Sequence, residues 1–396
     1  MRRLALLVTL AAIAGCVETR DPITGTQSLK VELVSPAVPG TPDSPLQDDA
    51  RTLVINVTAL DPQGALDTSF NNPVRVYVNF LGTLTPYLDM PPLMTITMSA
   101  GQAMNQTVML PQAFGPSTLW LDDAGAPEPT YASGASPTLW YRDPFIADIQ
   151  EPVDEMALDA LQKSPLEQKQ VTVRGSRSGV NGRLVVTSVF AQGYTVSDVL
   201  CGANGASPCA LAPNPRLGGA LGYDHKMVFS FSAPRDEHFR LIKEGQFIDG
   251  FAGGVSEFNG LTELGFPQTF VDGDNVDVDP ARIPTPATFD PTWFTNKYMF
   301  ERNEAAPISV AGAKVCDLDK DYTSYKQWKL DPAGVGGNCI GKNVINVISN
   351  GVIPTDPMTL VGKTLPKVTG VLRPVNIGSF NVWIIYPRSS ADLVLQ

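Results

Sequence analysis

Histidine is almost missing from this chain: 396 residues carry two, His225 and His238. They sit in Tyr223-Asp224-His225-Lys226 and Asp236-Glu237-His238, polar surroundings that read as surface loops. Neither belongs to a Ser-His-Asp or metallohydrolase pattern. Gly-x-Ser-x-Gly, the Walker loop and the dinucleotide fingerprint are missing too, so the sequence offers no support for the chemistry they carry. Charged residues make up only 17%. No apolar run approaches the roughly 20 residues a membrane-spanning helix needs. These absences point away from a helical cytosolic enzyme, and the expectation is that the chain is not an enzyme. A pair of carboxylates hydrolysing a glycoside is the competing possibility, and it requires a cleft that sequence does not show.

What is present begins at the N-terminus. Met1-Arg2-Arg3 is a short positive start, Leu4–Ile13 is an apolar core, and Ile13-Ala14-Gly15-Cys16 follows. A secretory signal has this layout, with small residues at the cut. Here they end on a cysteine, which resembles the lipobox of bacterial lipoproteins. The resemblance implies that Cys16 is diacylated and becomes the mature N-terminus, the two chains giving stable anchoring. Val17 after the cysteine implies sorting to the outer membrane of a Gram-negative cell, facing the periplasm or the surface. An ordinary signal peptide with a chance cysteine is the alternative; a short membrane helix is the other. Residues 1–15 thus read as signal and 16–28 as a polar tether.

Cysteine usage agrees with export. With Cys16 assigned to lipid, Cys201, Cys209, Cys316 and Cys339 remain, and four cysteines allow three connectivities. The local pairs Cys201–Cys209 and Cys316–Cys339 are expected, because each closes a Gly-rich insertion. Zinc is the rival use, but the spacings match no zinc pattern. Charge is uneven: residues 17–167 hold 6 Lys+Arg against 19 Asp+Glu, while 168–396 hold 21 against 21. The acidic first half is a poor partner for phosphate backbones.

Proline and glycine, at 34 each, punctuate many short alternating runs, so the expected fold class is all-β. Residues 29–141 carry about seven such runs and read as a β-sandwich similar to the Ig-like domains of bacterial surface proteins, without the Cys…Trp…Cys set of antibody domains. Residues 142–167 read as a connector with one short helix over Asp154–Lys163, bounded by Pro152 and Pro165. From Gln170 a new series of strands begins, and Asn259-Gly260 between two alternating runs is a hairpin signal. Residues 168–271 suit a small Greek-key barrel, 272–291 a linker, and 292–396 either a second barrel or a continuation of the first.

The series Gly193-Tyr194-Thr195-Val196-Ser197-Asp198, Val228-Phe229-Ser230-Phe231-Ser232 and Glu257–Leu264 resembles the OB-fold-like domains found beside extracellular endonuclease/exonuclease/phosphatase-type modules. The tail, with Gly370-Val371-Leu372, Phe380, Tyr386-Pro387-Arg388-Ser389 and Asp392-Leu393, resembles their closing section. Together these cover a little over half the chain, and no nuclease domain accompanies them.

Three constellations could carry chemistry. Asp317, Asp319 and Asp321 alternate as Ca²⁺ ligands can, but Tyr322 stands where an EF-hand loop has glycine and Lys320 lowers the local charge, so a solvated acidic turn competes. Asp272, Asp274, Asp277 and Asp279 form a similar acidic set. Tyr322, Tyr325, Lys326, Trp328 and Lys329, inside the Cys316–Cys339 loop, could stack on and neutralise a ligand; packing of the loop onto the barrel is the plainer reading. No cofactor is expected beyond that possible Ca²⁺. The expected function is a lipid-anchored, non-enzymatic envelope or surface protein. It would act as a binding or structural module through its OB-like part, with the Ig-like part as spacer and an unknown envelope protein, glycan or nucleic acid as partner. The alternative is an accessory factor binding nucleic acid or glycan in extracellular processing.

Overall fold

The computed structural model describes residues 25–395 except 49, 81–90, 112, 125–131, 153, 156–162, 272, 274–276 and 378–379. Cys16, the signal segment, most of the tether and the middle of the expected helix over Asp154–Lys163 lie outside the described residues. The fold is all-β, and the strands of the described residues lie in three sheets.

The first sheet takes β1 (Ser28–Ser35), β2 (Thr52–Leu60), β3 (Pro73–Phe80), β4 (Met94–Thr97), β5 (Gln102–Met109), β6 (Pro116–Asp123), β7 (Ser133–Ala135) and β8 (Leu139–Trp140). Its order is β4-β3-β6-β7-β1-β2-β5, with β8 on β6. In β2 the buried residues are Leu53, Ile55, Val57 and Ala59, alternating with partly exposed neighbours. A strand points successive side chains to opposite faces, so this period of two puts one face of β2 into the core. Val74 and Val76 of β3 and Leu119 and Leu121 of β6 meet it there. Each large aliphatic fully buried this way contributes roughly 1.5–3 kcal/mol. The result is a sandwich-like unit around one core.

A five-residue helix, α1 (Ile146–Gln150), follows and is buried along its whole length. Asp148 accepts from the Phe145 backbone N–H at 2.8 Å, closing the first turn. Its carboxylate also pairs with Arg142, at the start of the connector, at 2.7 Å, and with Arg216, which lies in a turn farther along the chain.

The second sheet takes β9 (Gln170–Arg174), β10 (Gly182–Phe190), β11 (Gly193–Leu200), β12 (His225–Phe229), β13 (Phe247–Ile248), β14 (Gly250–Phe258) and β15 (Leu261–Phe270). Its order is β13-β10-β11-β12-β15-β14-β9, with β12 and β15 parallel. Segments β9 and β10 act as two halves of a first strand, β10 pairing with β11 and β9 with β14. The β14–β15 hairpin turns at Asn259 (φ +53°) and Gly260 (φ +82°), opposite Phe258 and Leu261, as the Asn-Gly pair predicts.

The third sheet takes β16 (Ala287–Thr288), β17 (Pro307–Val315), β18 (Gln327–Asp331), β19 (Ile345–Ile348), β20 (Thr364–Ile377), β21 (Phe380–Tyr386) and β22 (Leu393–Val394), with α2 (Tyr298–Arg302) and α3 (Lys320–Tyr325) between strands. Strand β17 pairs with both β18 and β20, closing a five-membered ring β17-β18-β19-β21-β20. Counted along the chain the ring runs 1-2-3-5-4-1, with strands 3 and 5 parallel, a small Greek-key barrel. Among the described residues the two curled sheets share no strand pairing. The tail strands β20–β22 close the third sheet, not the second. The segment expected as a linker is packed in its described part: Val278 bridges Gln246, and Phe289 enters the third core.

Candidate functional site

Strand alternation decides what the Cys316–Cys339 loop can present. In β18, Trp328 and Leu330 face inward and are buried to 1% and 0% exposure. Trp328 therefore belongs to the barrel core, where its Nε1 donates to Ser349 Oγ at 3.1 Å. Lys329, on the opposite face, points outward. Tyr322 donates its hydroxyl to Asp356 Oδ1 at 3.2 Å and has the Lys326 ammonium 5.2 Å over its ring. Tyr322 and Lys326 border a small cleft of about 220 Å³, while Tyr325 is 65% exposed. The five residues read together in the sequence are thus distributed over the core, two clefts and open surface.

The larger cleft, about 700 Å³, lies across strands 2 and 3 of the barrel in the third sheet. Its parts come from four places in the chain. Asp319, Lys320 and Asp321 come from the loop between strands 1 and 2. Residues 339–344 come from the loop between strands 2 and 3. Asn376, Asn381 and Trp383 flank the turn between strands 4 and 5. Phe294 and Lys297 come from the segment before strand 1. One wall is aromatic: Trp383 stacks on Phe300 with centroids 5.3 Å apart and planes 16° apart, and Phe294 is 5.7 Å from Phe300. The rest of the lining includes amides and ammonium groups. The disulfide Cys316–Cys339 is formed, and Cys339 lines the rim, so the bond holds the strand 2–3 loop against strand 1. Cys201–Cys209, in the second barrel, is formed as well.

Asp319 and Asp321 converge on Lys329. The Lys329 ammonium donates to Asp321 at 2.6 Å and to Asp319 on its other side. Burial alone would lower the lysine, but its hydrogen bonds to both carboxylates outweigh that and hold it above its ordinary value. Burial would likewise raise Asp319, yet the bond from Lys329 holds it below the carboxylate range. The pair thus has a resident ammonium between its carboxylates. Asp319 also caps α3, accepting from Asp321 N at 2.9 Å. Asp317 stands apart with an exposed side chain. In the other acidic set, Asp277 pairs with Arg282 and Asp279 accepts from Ala281 N at 2.9 Å; Asp272 and Asp274 lie outside the described residues. Among the described residues no group of three or more His, Cys, Asp or Glu is arranged to hold a metal ion.

His225 is not on a surface loop. It lies in β12, 2% exposed, with Nδ1 2.6 Å from Ser197 Oγ. Burial pushes it down to about 3, so it is neutral near pH 7. Ser197 is fully buried too, so this Ser-His contact offers a substrate no route to Oγ. The polar flanks misled because they belong to a buried network. Asp224 pairs with Arg177, and Lys226, fully buried, donates to Gln150 Oε1 at 2.8 Å and Thr262 O at 2.7 Å. His238 is on the surface, next to Glu237.

The residues sequence reasoning missed are Phe294, Lys297, Lys342, Asn376, Asn381 and Trp383. Asn381-Val382-Trp383-Ile384-Ile385 reads as ordinary strand, and nothing local marks Trp383 as lining a cleft. Alternation in Gln327-Trp328-Lys329-Leu330 was the available signal that Trp328 faces the core. Comparison with family models, curated proteins and solved structures finds no match to this chain.

Proposed function

We propose that this chain is a lipid-anchored, non-enzymatic envelope protein that holds a glycan in the cleft of the barrel formed by its third sheet. The observation that carries the reading is the cleft's mixed lining: the rings of Trp383 and Phe294 together with Asn343, Asn381 and lysines. An aromatic face takes the apolar face of a sugar ring, while amides donate to and accept from hydroxyls. A volume of about 700 Å³ lies within the roughly 300–1,000 Å³ of small-ligand sites and admits a short oligosaccharide. In small Greek-key barrels of the OB type, this same face of strands 2 and 3, with the 1–2 and 4–5 loops, takes oligonucleotides or oligosaccharides. That is an analogy of fold, and the lining decides between them. Net charge does not decide, because residues 168–396 hold 21 basic against 21 acidic residues; the amides beside the aromatic rings favour a sugar.

The absence of catalysis rests on the same lining. Asp319 and Asp321 are the only carboxylates among its residues, and both are engaged by Lys329. A glycosidase needs one carboxyl kept protonated to donate to the leaving oxygen, and Asp319 is shifted the opposite way. The anchor is supported by the Met1–Cys16 pattern, with the outer membrane of a Gram-negative cell as its site. The test is binding of the mature chain to an array of envelope glycans, alongside Trp383→Ala. Binding that disappears in the variant supports the reading. Undiminished glycan binding by the variant, or a salt-dependent complex with single-stranded DNA in place of glycan binding, overturns it.

A further inference from the structure

The geometry points to an acidic glycan as the ligand of this cleft, an inference that rests on the glycan reading above. The cleft gathers four of the chain's thirteen lysines, Lys297, Lys320, Lys329 and Lys342, but only two of its forty acidic residues. Four positive charges less two negative ones leave a net of +2 there, in a chain of net −11. Solubility does not call for such a concentration, because it runs against the sign of the whole molecule.

The lysines differ in what they do. Lys329 is spent on Asp319 and Asp321, which leaves that cluster a single net negative charge against the three other lysines. Lys342 donates to the Gly336 carbonyl at 3.1 Å, which orients its ammonium without neutralising it. Lys297 and Lys320 are exposed, and among the described residues neither has a carboxylate partner. Three unneutralised ammonium groups therefore line an aromatic-walled cleft. A neutral sugar would leave them unmatched, whereas a ring carrying an oxyanion gains charge-assisted hydrogen bonds from them. The oxyanion is the carboxylate of a uronic acid or a phosphate on a sugar.

Calorimetry on the mature chain with three probes tests this: an oligogalacturonate, its neutral methyl ester, and a phosphorylated mannose oligosaccharide. Exposed ion pairs are individually weak, so two or three together give about a tenfold preference for acid over ester. That preference should shrink with added salt and disappear in Lys297→Gln/Lys320→Gln, whose exposed positions leave folding intact. Tighter binding of the phosphorylated probe than of the uronate also supports the inference and identifies phosphate as the oxyanion source. Equal affinity for acid and ester, both lost in Trp383→Ala, overturns the acidic class and leaves the glycan reading standing. An unaltered preference in the double lysine variant overturns the inference as well. No binding by any of the three overturns both readings together.

Discussion

Gln150 Nε2 donates a 2.9 Å hydrogen bond to Glu304 Oε1, across 154 positions of chain. The Gln150 oxygen accepts from Lys226 of the second sheet, and the Glu304 carboxylate also accepts from Thr262 N at 3.1 Å. One amide therefore joins the connector helix α1, the second sheet and the corner after α2 that leads into the third. A second contact supports the same junction: the Asn376 backbone N–H donates to Asn259 O at 2.8 Å, setting the β14–β15 hairpin tip against a strand bordering the cleft.

This junction makes stability depend on pH. Burial pushes the Glu304 carboxyl up to about 8 from 4.5, and the Glu257 charge adds to the rise while Lys226 opposes it. A raised folded value means the contribution is fully present below 4.5 and is lost as pH climbs through about 8. Burial pushes Lys226 down to about 8, so its contribution is present above 10.5 and lost as pH falls through about 8. Both place the weak point near pH 8. Melting temperature should fall between pH 5 and 8 by at least a few degrees, and Glu304→Gln should flatten that slope and be the more stable protein at pH 8. Parallel melting profiles for the two proteins would refute the assignment.

Trp328 and Tyr325 should separate cleanly in a denaturation experiment. Trp328→Ala empties a core site and orphans the Ser349 hydroxyl, so it should cost roughly 3–5 kcal/mol. Tyr325→Ala, at an exposed position, should stay within about 0.5 kcal/mol. Similar losses from both would contradict the inward orientation of Trp328.

The two disulfides should behave differently under ligand. Cys316→Ser/Cys339→Ser opens a loop of sequence separation 23 and should cost about 3.4 kcal/mol; Cys201→Ser/Cys209→Ser opens one of separation 8 and should cost about 2.5 kcal/mol. The stability costs are close, so the discriminating measurement is affinity. Only the first pair holds the cleft rim, and only its loss should weaken glycan binding at temperatures where both variants are folded.

Cys16→Ser should move the protein from the membrane fraction to the soluble one after cell fractionation. Retention of the variant in the membrane would remove the basis for the anchor.

Much of the architecture was legible locally. The alternation in β2, the Asn259-Gly260 turn and the change of pattern at Gln170 are properties of adjacent residues. The pairing Cys316–Cys339 was legible because each local cysteine pair closes its own insertion. The cleft was not. In the sequence Lys329 belongs to an aromatic run, and Asp319 and Asp321 to an acidic one; only the fold sets the lysine between the two carboxylates. Trp383 and Phe294 lie 89 positions apart, and no spacing rule joins them. The polar run at Asp224-His225-Lys226 reads as surface because sequence cannot show that Arg177, Ser197 and Gln150 arrive to satisfy it.

By itself, the sequence determined the elements: period-two burial, glycine-bearing turns, short-range disulfides and a charge surplus confined to the first half. Each follows from dihedral preference, alternation or counting. Tertiary structure alone decided which face of a strand meets solvent, which carboxylates acquire a lysine between them, and which distant loops share a rim. Those outcomes depend on closing the ring β17-β18-β19-β21-β20, which brings residues 294, 320, 342 and 383 around one space. Ring closure is a non-local event, and no window of the chain contains it.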